Sequence, residues 1–332
     1  MAFDASTGER RWTFDTVPTH GPAAETWPQD ASKRRAGGGM YASFSLDERS
    51  GLLYVPVGNP GPDFAGGYRP GDNLYTCSVI MLDAKTGTLK GYRQITPHDV
   101  HDWDVAAAPV LFTSKAGQDI VAVGSKDGYV YGLDRTLSKQ IYKTAVTRIE
   151  NVDAPITPEG THFAPGTLGG VNYNGPAYDP ALNALFVNTI DWGTTVRLGG
   201  PESLVAVPGK PFVGSANVWG TPDKARSGWT MALDADSGKV LWRREAHTPM
   251  AAAVLPTAGG VLFTADTHGK LLALESATGK LLWSQSLGDP AAGGVITYSV
   301  AGKQYLAVAV GLTNPTMQTQ SGPGFIAIYA LP

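Results

Sequence analysis

A short phrase recurs along this chain: apolar alternation ending in Asp, two residues, Thr or Ser, Gly, and four residues later Trp. It reads Ala2-Phe3-Asp4-Ala5-Ser6-Thr7-Gly8 with Trp12, and Met231-Ala232-Leu233-Asp234-Ala235-Asp236-Ser237-Gly238 with Trp242. Leu272-Ala273-Leu274-Glu275-Ser276-Ala277-Thr278-Gly279 with Trp283 is a third copy. Met81-Leu82-Asp83-Ala84-Lys85-Thr86-Gly87 is a fourth, with Gly91 in the Trp position, and Tyr131-Gly132-Leu133-Asp134-Arg135 is a worn fifth. Each copy predicts a strand, a tight turn and a second strand. The turn Gly takes positive φ, and the Trp covers a neighbouring sheet.

Further hairpins lie between the copies. Ser43–Asp47 leads into Leu53–Val57, and Tyr178-Asp179-Pro180 into Leu185-Phe186-Val187, while Gly259–Thr264 and Lys303–Val308 add strands. No long stretch has a helical period, so the chain is predicted to be all-β. Asp234 and Glu275 are 41 residues apart, which matches a β-propeller blade of about 40–45 residues. The wider spacings elsewhere imply insertions at residues 59–76, 144–169 and 193–226, rich in Gly, Pro and Asn as loops on one face of a propeller would be. Met1 falls at the start of a third strand, and Phe325–Ala330 reads as a third strand without a fourth. The expectation is a single domain over residues 1–332, an incomplete arc of about five blades.

Composition narrows the function. Charged residues are 17% against about 25% in an average globular protein, and the net charge is −3, which leaves no basic field for nucleic acid. The longest apolar stretch, Met250 to Ala265, is broken by Pro256 and Gly259-Gly260, so no membrane span is expected. The single Cys77 excludes an internal disulfide, a CxxCH haem attachment and a Cys-rich zinc site.

The densest polar run is Thr96-Pro97-His98-Asp99-Val100-His101-Asp102-Trp103-Asp104. Two His and three Asp allow a metal site, and equally a solvated loop. Asn59-Pro60-Gly61-Pro62-Asp63 and Arg69-Pro70-Gly71-Asp72-Asn73 read alone as turns.

Together these segments resemble the quinoprotein alcohol dehydrogenases, which use pyrroloquinoline quinone (PQQ). In that family a Gly-Asn-Pro turn, Arg-Pro-Gly-Asp-Asn, a Thr-Gly hairpin and Thr-Pro-His-Asp-x-Trp-Asp follow one another. This chain has Gly58-Asn59-Pro60, Arg69 to Asn73, Asp83 to Gly87 and Thr96 to Asp99 in that order. The resemblance implies the eight-bladed quinoprotein type of propeller and a set of roles. Asn59 matches the metal-binding Asn, a hard oxygen donor. Asp102 matches the catalytic base when the run is laid without gaps, with His101 in place of the usual Trp; a gapped placement guided by Trp103 would make Asp104 the base. Asp104 otherwise matches a position that is acidic in lanthanide-using members and in some that use Ca²⁺ or Mg²⁺, or it is an exposed Asp beside a turn. Lys126, in Ser125-Lys126-Asp127-Gly128, matches the cation that donates to the quinone oxygens, or is a turn lysine. Asn172 matches a PQQ-contacting position, and Tyr41 falls where the family has the Trp under the cofactor. Trp12, Trp242 and Trp283 are read as packing residues.

The implied chemistry is alcohol oxidation by hydride transfer to PQQ, with a bound Ca²⁺ or lanthanide as Lewis acid and Asp102 as general base. Lys126 would stabilise charge developing on the quinone oxygen. The resemblance also implies a periplasmic location and a cytochrome c-type electron acceptor. It places two to three further blades before Met1, with a vicinal disulfide and a metal-ligating Glu, so this chain is expected to be a C-terminal portion. An open arc would leave hydrophobic inter-blade surface exposed. The alternative is a non-catalytic propeller of the same repeat, used as a binding or assembly scaffold like the outer-membrane assembly factors. Such a scaffold has no reason to keep Asn59, Asp102, Lys126 and Asn172 together.

Overall fold

The computed structural model describes residues 1–330, and they are all-β apart from three short 3-10 turns at Pro22–Thr26, Gly66–Tyr68 and Pro201–Leu204. Four antiparallel four-stranded sheets follow one another along the chain. The first holds Ser45–Asp47, Leu52–Val57, Ser78–Asp83 and Leu89–Gln94; the second Val110–Thr113, Asp119–Gly124, Tyr129–Asp134 and Gln140–Ala145. The third holds Ala177–Asp179, Ala184–Asp191, Ser227–Asp234 and Val240–Ala246; the fourth Leu255–Pro256, Val261–Ala265, Lys270–Glu275 and Leu281–Ser286. A three-stranded sheet of Val295–Val300, Lys303–Val310 and Phe325–Ala330 comes last, and Ala2–Phe3 pairs with Arg10–Trp12 at the start. Strands pair in chain order in every one of these sheets. Among the described residues, no helix is long and apolar enough to cross a membrane.

Successive sheets pack face to face. The first strand of each of the first three sheets lies against the first strand of the next, and Val261–Ala265 of the fourth sheet lies against Val295–Val300 of the last. Alternation along each strand sends neighbouring side chains to opposite sheets. Val121 and Val123 of the second sheet meet Tyr54, Val79 and Met81 of the first, while Ile120 and Ala122 meet Leu185, Val187 and Leu233 of the third. Phe186 and Ala232 then meet Leu262, Leu272 and Leu274, and Leu271 meets Leu306 and Val308 of the last sheet. Burial on both faces explains the low charge, because each fully buried aliphatic side chain contributes about 1.5–3 kcal/mol only if it leaves water. The outer face of the last sheet exposes Ile296, Ile326 and Ile328.

The repeated phrase acts between sheets. Trp12 Nε1 donates to Ala84 O at 3.1 Å, and Trp242 Nε1 donates to Ser276 O at 2.9 Å, so each indole caps the next sheet's turn. Gly87 and Gly279 have φ of 71° and 73°, and a Cβ there would lie 2.5 and 2.6 Å from the covering indole. Tyr142 replaces the Trp in the second sheet and packs on the turn at Gly238. Where Gly91 stands instead, the worn turn at Thr136 closes directly on it. Trp283 differs: it is 44% exposed and meets Tyr329 edge-on at 6.1 Å.

Meander topology sorts the loops. Turns joining first to second and third to fourth strands lie at one end of the sheets. Links joining second to third strands, and one sheet to the next, lie at the other end. All three predicted insertions fall at that second end: residues 59–76 and 193–226 join second to third strands, and 144–169 joins two sheets. Asn59, Asp102, Asp104, Lys126 and Asn172 share that end.

Candidate active site

The turn-like segments are fixed by one guanidinium. Arg69 is fully buried. Its Nε donates to Pro62 O at 3.0 Å, Nη1 to Asn73 Oδ1 at 2.8 Å, and Nη2 to Asp63 O at 2.7 Å and to Asp99 O. Arg-Pro-Gly-Asp-Asn is therefore an anchor that ties residues 59–76 to the polar run at 96–104. The loop brings Asp63, an ordinary turn residue by its local sequence, toward the charged cluster.

The polar run is not a solvated loop, since Asp99, His101, Asp102 and Asp104 are all buried. Asp99 folds the run on itself, accepting from the His101 and Trp103 backbone N–H groups at 3.1 Å each. Burial, opposed by Arg69, pushes its carboxyl up to about 6. His101 lies flat on Trp103, with ring centroids 4.1 Å apart, and edge-on to Phe163 at 4.6 Å. Burial lowers its imidazole to about 4, which keeps it neutral as an aromatic spacer. The imidazole in the place of the family's Trp thus still stacks. Trp103 Nε1 donates to Pro165 O at 3.0 Å, which fixes the stack.

Asp102 has φ of 64°, an unusual backbone for Asp. Its Oδ2 lies 3.1 Å from Lys126 Nζ, and Asp104 Oδ2 lies 2.7 Å from the same nitrogen. Lys126 is only 2% exposed, so it is no turn lysine, and Asp104 at 4% is no exposed carboxylate. Asp104 also accepts the Asn59 backbone N–H at 2.7 Å on Oδ1 and the Tyr41 hydroxyl at 2.9 Å on Oδ2. Gly58 allows this approach, because a Cβ there would meet Asp104 Oδ1 at 2.6 Å. Tyr41, Asn59 and Lys126, distant from one another in sequence, therefore converge on one carboxylate.

The electrostatics follow from three carboxylates near one ammonium. Burial alone would lower Lys126, but Asp102 and Asp104 outweigh it and hold the ammonium well above its ordinary value. Burial raises Asp102 well above the carboxylate range, with Asp104 and Asp63 adding to it and Lys126 opposing. Burial, then Asp104, pushes Asp63 up to about 7. The cluster is short of positive charge. Among the described residues no group of three His, Cys, Asp or Glu side chains is placed to hold a metal alone. The oxygen chemistry of Asp102, Asp104 and the Asn59 amide nonetheless suits a hard cation, and the charge deficit favours one.

Asn172 is buried, and its Oδ1 has no hydrogen-bond partner. An unpaired buried acceptor costs about 1–3 kcal/mol, so a donor from a bound molecule would fit here. The preceding Val171 N–H donates to Ser125 O at 3.0 Å, which sets Asn172 beside the Lys126 loop. Tyr173, unremarked in the sequence, follows at φ of 67° and meets the Tyr41 ring edge-on at 6.5 Å. Tyr41 is 54% exposed and keeps only its hydroxyl end turned in to Asp104. An open aromatic face, a buried cation and an orphan amide suit a flat quinone. Each predicted residue is thus in one cluster or directly beside it.

Comparison with known proteins agrees with this arrangement. Residues 1–147 match the family described as glucose/ethanol/alcohol dehydrogenase, beta-propeller domain, and residues 226–319 match outer membrane protein assembly factor BamB. The quinoprotein alcohol dehydrogenase PedH of Pseudomonas putida is 28% identical over 94% of this chain and 58% of its own length. The quinohemoprotein alcohol dehydrogenase of Comamonas testosteroni is 31% identical over 93% of this chain and 49% of its own. The solved structure of a quinohemoprotein alcohol dehydrogenase from Comamonas testosteroni superposes with a TM-score of 0.84 at 26% identity, covering 99% of this chain and 55% of that one. A europium-containing methanol dehydrogenase gives 0.81 at 26%, covering 93% and 60%. The chain spans about half the length of these relatives. The all-β, propeller-type sheets, the cluster around Lys126 and this set of relatives lead to one conclusion: the chain belongs to the PQQ-dependent quinoprotein alcohol dehydrogenase family.

Proposed function

We propose that this chain carries the alcohol-oxidising site of a quinoprotein dehydrogenase, on an arc of about five propeller blades that form one domain. The observation that supports it best is the Lys126 ammonium buried between Asp102 and Asp104 at 3.1 and 2.7 Å. Bound PQQ would supply the hydride acceptor, and a cation held by Asn59, Asp102 and Asp104 would supply a Lewis acid. Asp102 takes the proton of the alcohol hydroxyl as general base. Lys126 would offer a fixed positive charge to the oxygen of the bound acceptor. Tyr41 would support the flat cofactor, and Asn172 would accept a hydrogen bond from it.

The ion is Ca²⁺ or a lanthanide. The buried additional carboxylate of Asp104 and the europium named for one structural relative favour a trivalent ion. The substrate is a small alcohol, the acceptor a cytochrome c-type protein, and the location periplasmic, each carried from the family resemblance. The scaffold reading is weakened by the Asn59, Asp102, Lys126 and Asn172 set, which assembly alone does not require. Two measurements on the purified chain test the proposal. Titration of PQQ with Ca²⁺ or La³⁺ is expected to show saturable binding, followed by alcohol-dependent dye reduction. Absence of both would reduce the assignment to ancestry.

A further inference from the structure

A polar cavity opens at the same end of the sheets as the Lys126 cluster. It has a volume of about 360 Å³, within the usual range of ligand pockets, about 300–1,000 Å³. Arg226, from the residue before the third sheet's Ser227–Asp234 strand, lines it with His247, which follows that sheet, and His268, from the turn inside the fourth. None of its lining residues is Asp or Glu.

The walls are built rather than incidental. Thr248 and Thr267, next to the two histidines, join hydroxyls at 2.5 Å, and Thr267 Oγ1 also donates to Pro249 O at 3.1 Å. These bonds clamp the two loops together. Arg226 is held by its guanidinium over the fully buried Trp192 ring, with Cζ 5.2 Å from the centroid. Its Nε is shielded from solvent and has no hydrogen-bond partner among the described residues. The nearby Asp191 is taken, accepting from Arg148 Nε at 3.1 Å and Trp229 Nε1 at 2.9 Å. A guanidinium fork, two imidazoles and no acid make a site that lacks only its anion.

We propose that this cavity binds a small oxyanion, a ligand bearing a phosphate or carboxylate group, with Arg226 as its main contact and His247 and His268 as further donors. The site is separate from the Lys126 cluster, so a chain that failed to bind PQQ would leave this expectation standing. Inorganic phosphate and malonate, each titrated calorimetrically into the full chain at matched ionic strength, are the probes. Saturable one-to-one binding of at least one is expected, and which one binds tighter assigns phosphate or carboxylate. Arg226→Gln should weaken it at least tenfold, and the double variant His247→Gln, His268→Gln several-fold. On the unaltered chain, the bound probe should slow phenylglyoxal modification of Arg226, read by peptide mass spectrometry. That measurement serves if Arg226→Gln does not fold. No saturable binding of either probe, unchanged affinity in a folded Arg226→Gln, or an unchanged modification rate at saturating probe would overturn the proposal.

Discussion

Replacing Lys126 by Met tests the electrostatic account of the cluster directly. The substitution keeps most of the side-chain volume and removes the ammonium that lies 3.1 Å from Asp102 and 2.7 Å from Asp104. Both carboxylates then stay buried, with Asp63 close by and no opposing charge. Removing one partner of a buried pair costs about 3–5 kcal/mol. With an unfolding entropy of about 2.1 cal/mol/K per residue, the 332-residue chain should lose about 4–7 °C in Tm at pH 7.5. The loss should depend on pH with a definite sign. Asp102 and Asp63 already have folded proton affinities above their unfolded values. Such groups bind more protons folded than unfolded, so their charge is a destabilisation that grows as pH rises above about 4. Without Lys126 that growth is steeper, and the deficit should shrink between pH 7.5 and 5 as the carboxylates take up protons. Adding Asp104→Asn to Lys126→Met should restore part of the lost stability. Thermal unfolding by circular dichroism at pH 5, 6 and 7.5 reads the parent and both variants. A Lys126→Met chain as stable as the parent at pH 7.5, or with the same deficit at every pH, would refute the reasoning.

Other expectations follow from single residues. Asp102→Asn should cut the rate of alcohol-dependent dye reduction by about 10²–10⁴-fold and leave PQQ binding in place, as separate rate and fluorescence titrations would show. Asn172→Ala should weaken PQQ binding by roughly 5–150-fold, the equivalent of about 1–3 kcal/mol, while leaving the cofactor-free Tm equal or higher, because Oδ1 has no protein partner. His101→Phe should remove an acid sensitivity: the imidazole falls to about 4 when folded, so its contribution is full above the unfolded value near 6.5 and is lost as pH drops toward 4. Comparing Tm of parent and variant from pH 7 to 4.5 checks it. Trp242→Ala should cost about 3 kcal/mol through the lost turn cap on Ser276, whereas Trp283→Ala, at a 44% exposed site, should cost about 1 kcal/mol or less; denaturant midpoints separate the two.

Much of the fold could be read locally. Asp-x-x-Thr-Gly turns carry their own geometry, and Asp4, Asp83 and Asp234 each accept backbone N–H groups two or three residues on, as such turns require. The worn copies were legible only as decay. Three-dimensional packing supplies the reason: Gly91 leaves no indole to cover the following turn, and that turn closes directly on it at Thr136. The site divides in the same way. Asn59, Asp102, Asp104, Lys126, Asn172 and Tyr41 were found through motif order. Asp63 and Tyr173 were not, since one sits in a Gly-Pro turn and the other beside an already chosen Asn. Their relevance comes from distance to Lys126, which no local pattern encodes. The Arg69 anchor was equally hidden, because its four acceptors come from three separate stretches of chain.

The sequence by itself determined the all-β class, the strand-turn-strand unit, the loop insertions and the chemical identity of the reactive groups. These depend on alternation, on turn residues and on side-chain type, all of which act within a few residues. Only the tertiary structure decided how charge is arranged. Whether Asp104 was an exposed turn residue or part of a charged cluster, and whether Lys126 was a turn lysine or a buried cation, turned on burial and on separations of about 3 Å across residues 41, 59, 102, 104 and 126. The same holds for Arg226, an ordinary residue in the sequence that becomes an unpaired guanidinium only when Trp192, His247 and His268 are brought around it. Coulomb energy and desolvation depend on distance in space, and a chain folded into stacked sheets makes neighbours of residues that the sequence keeps far apart.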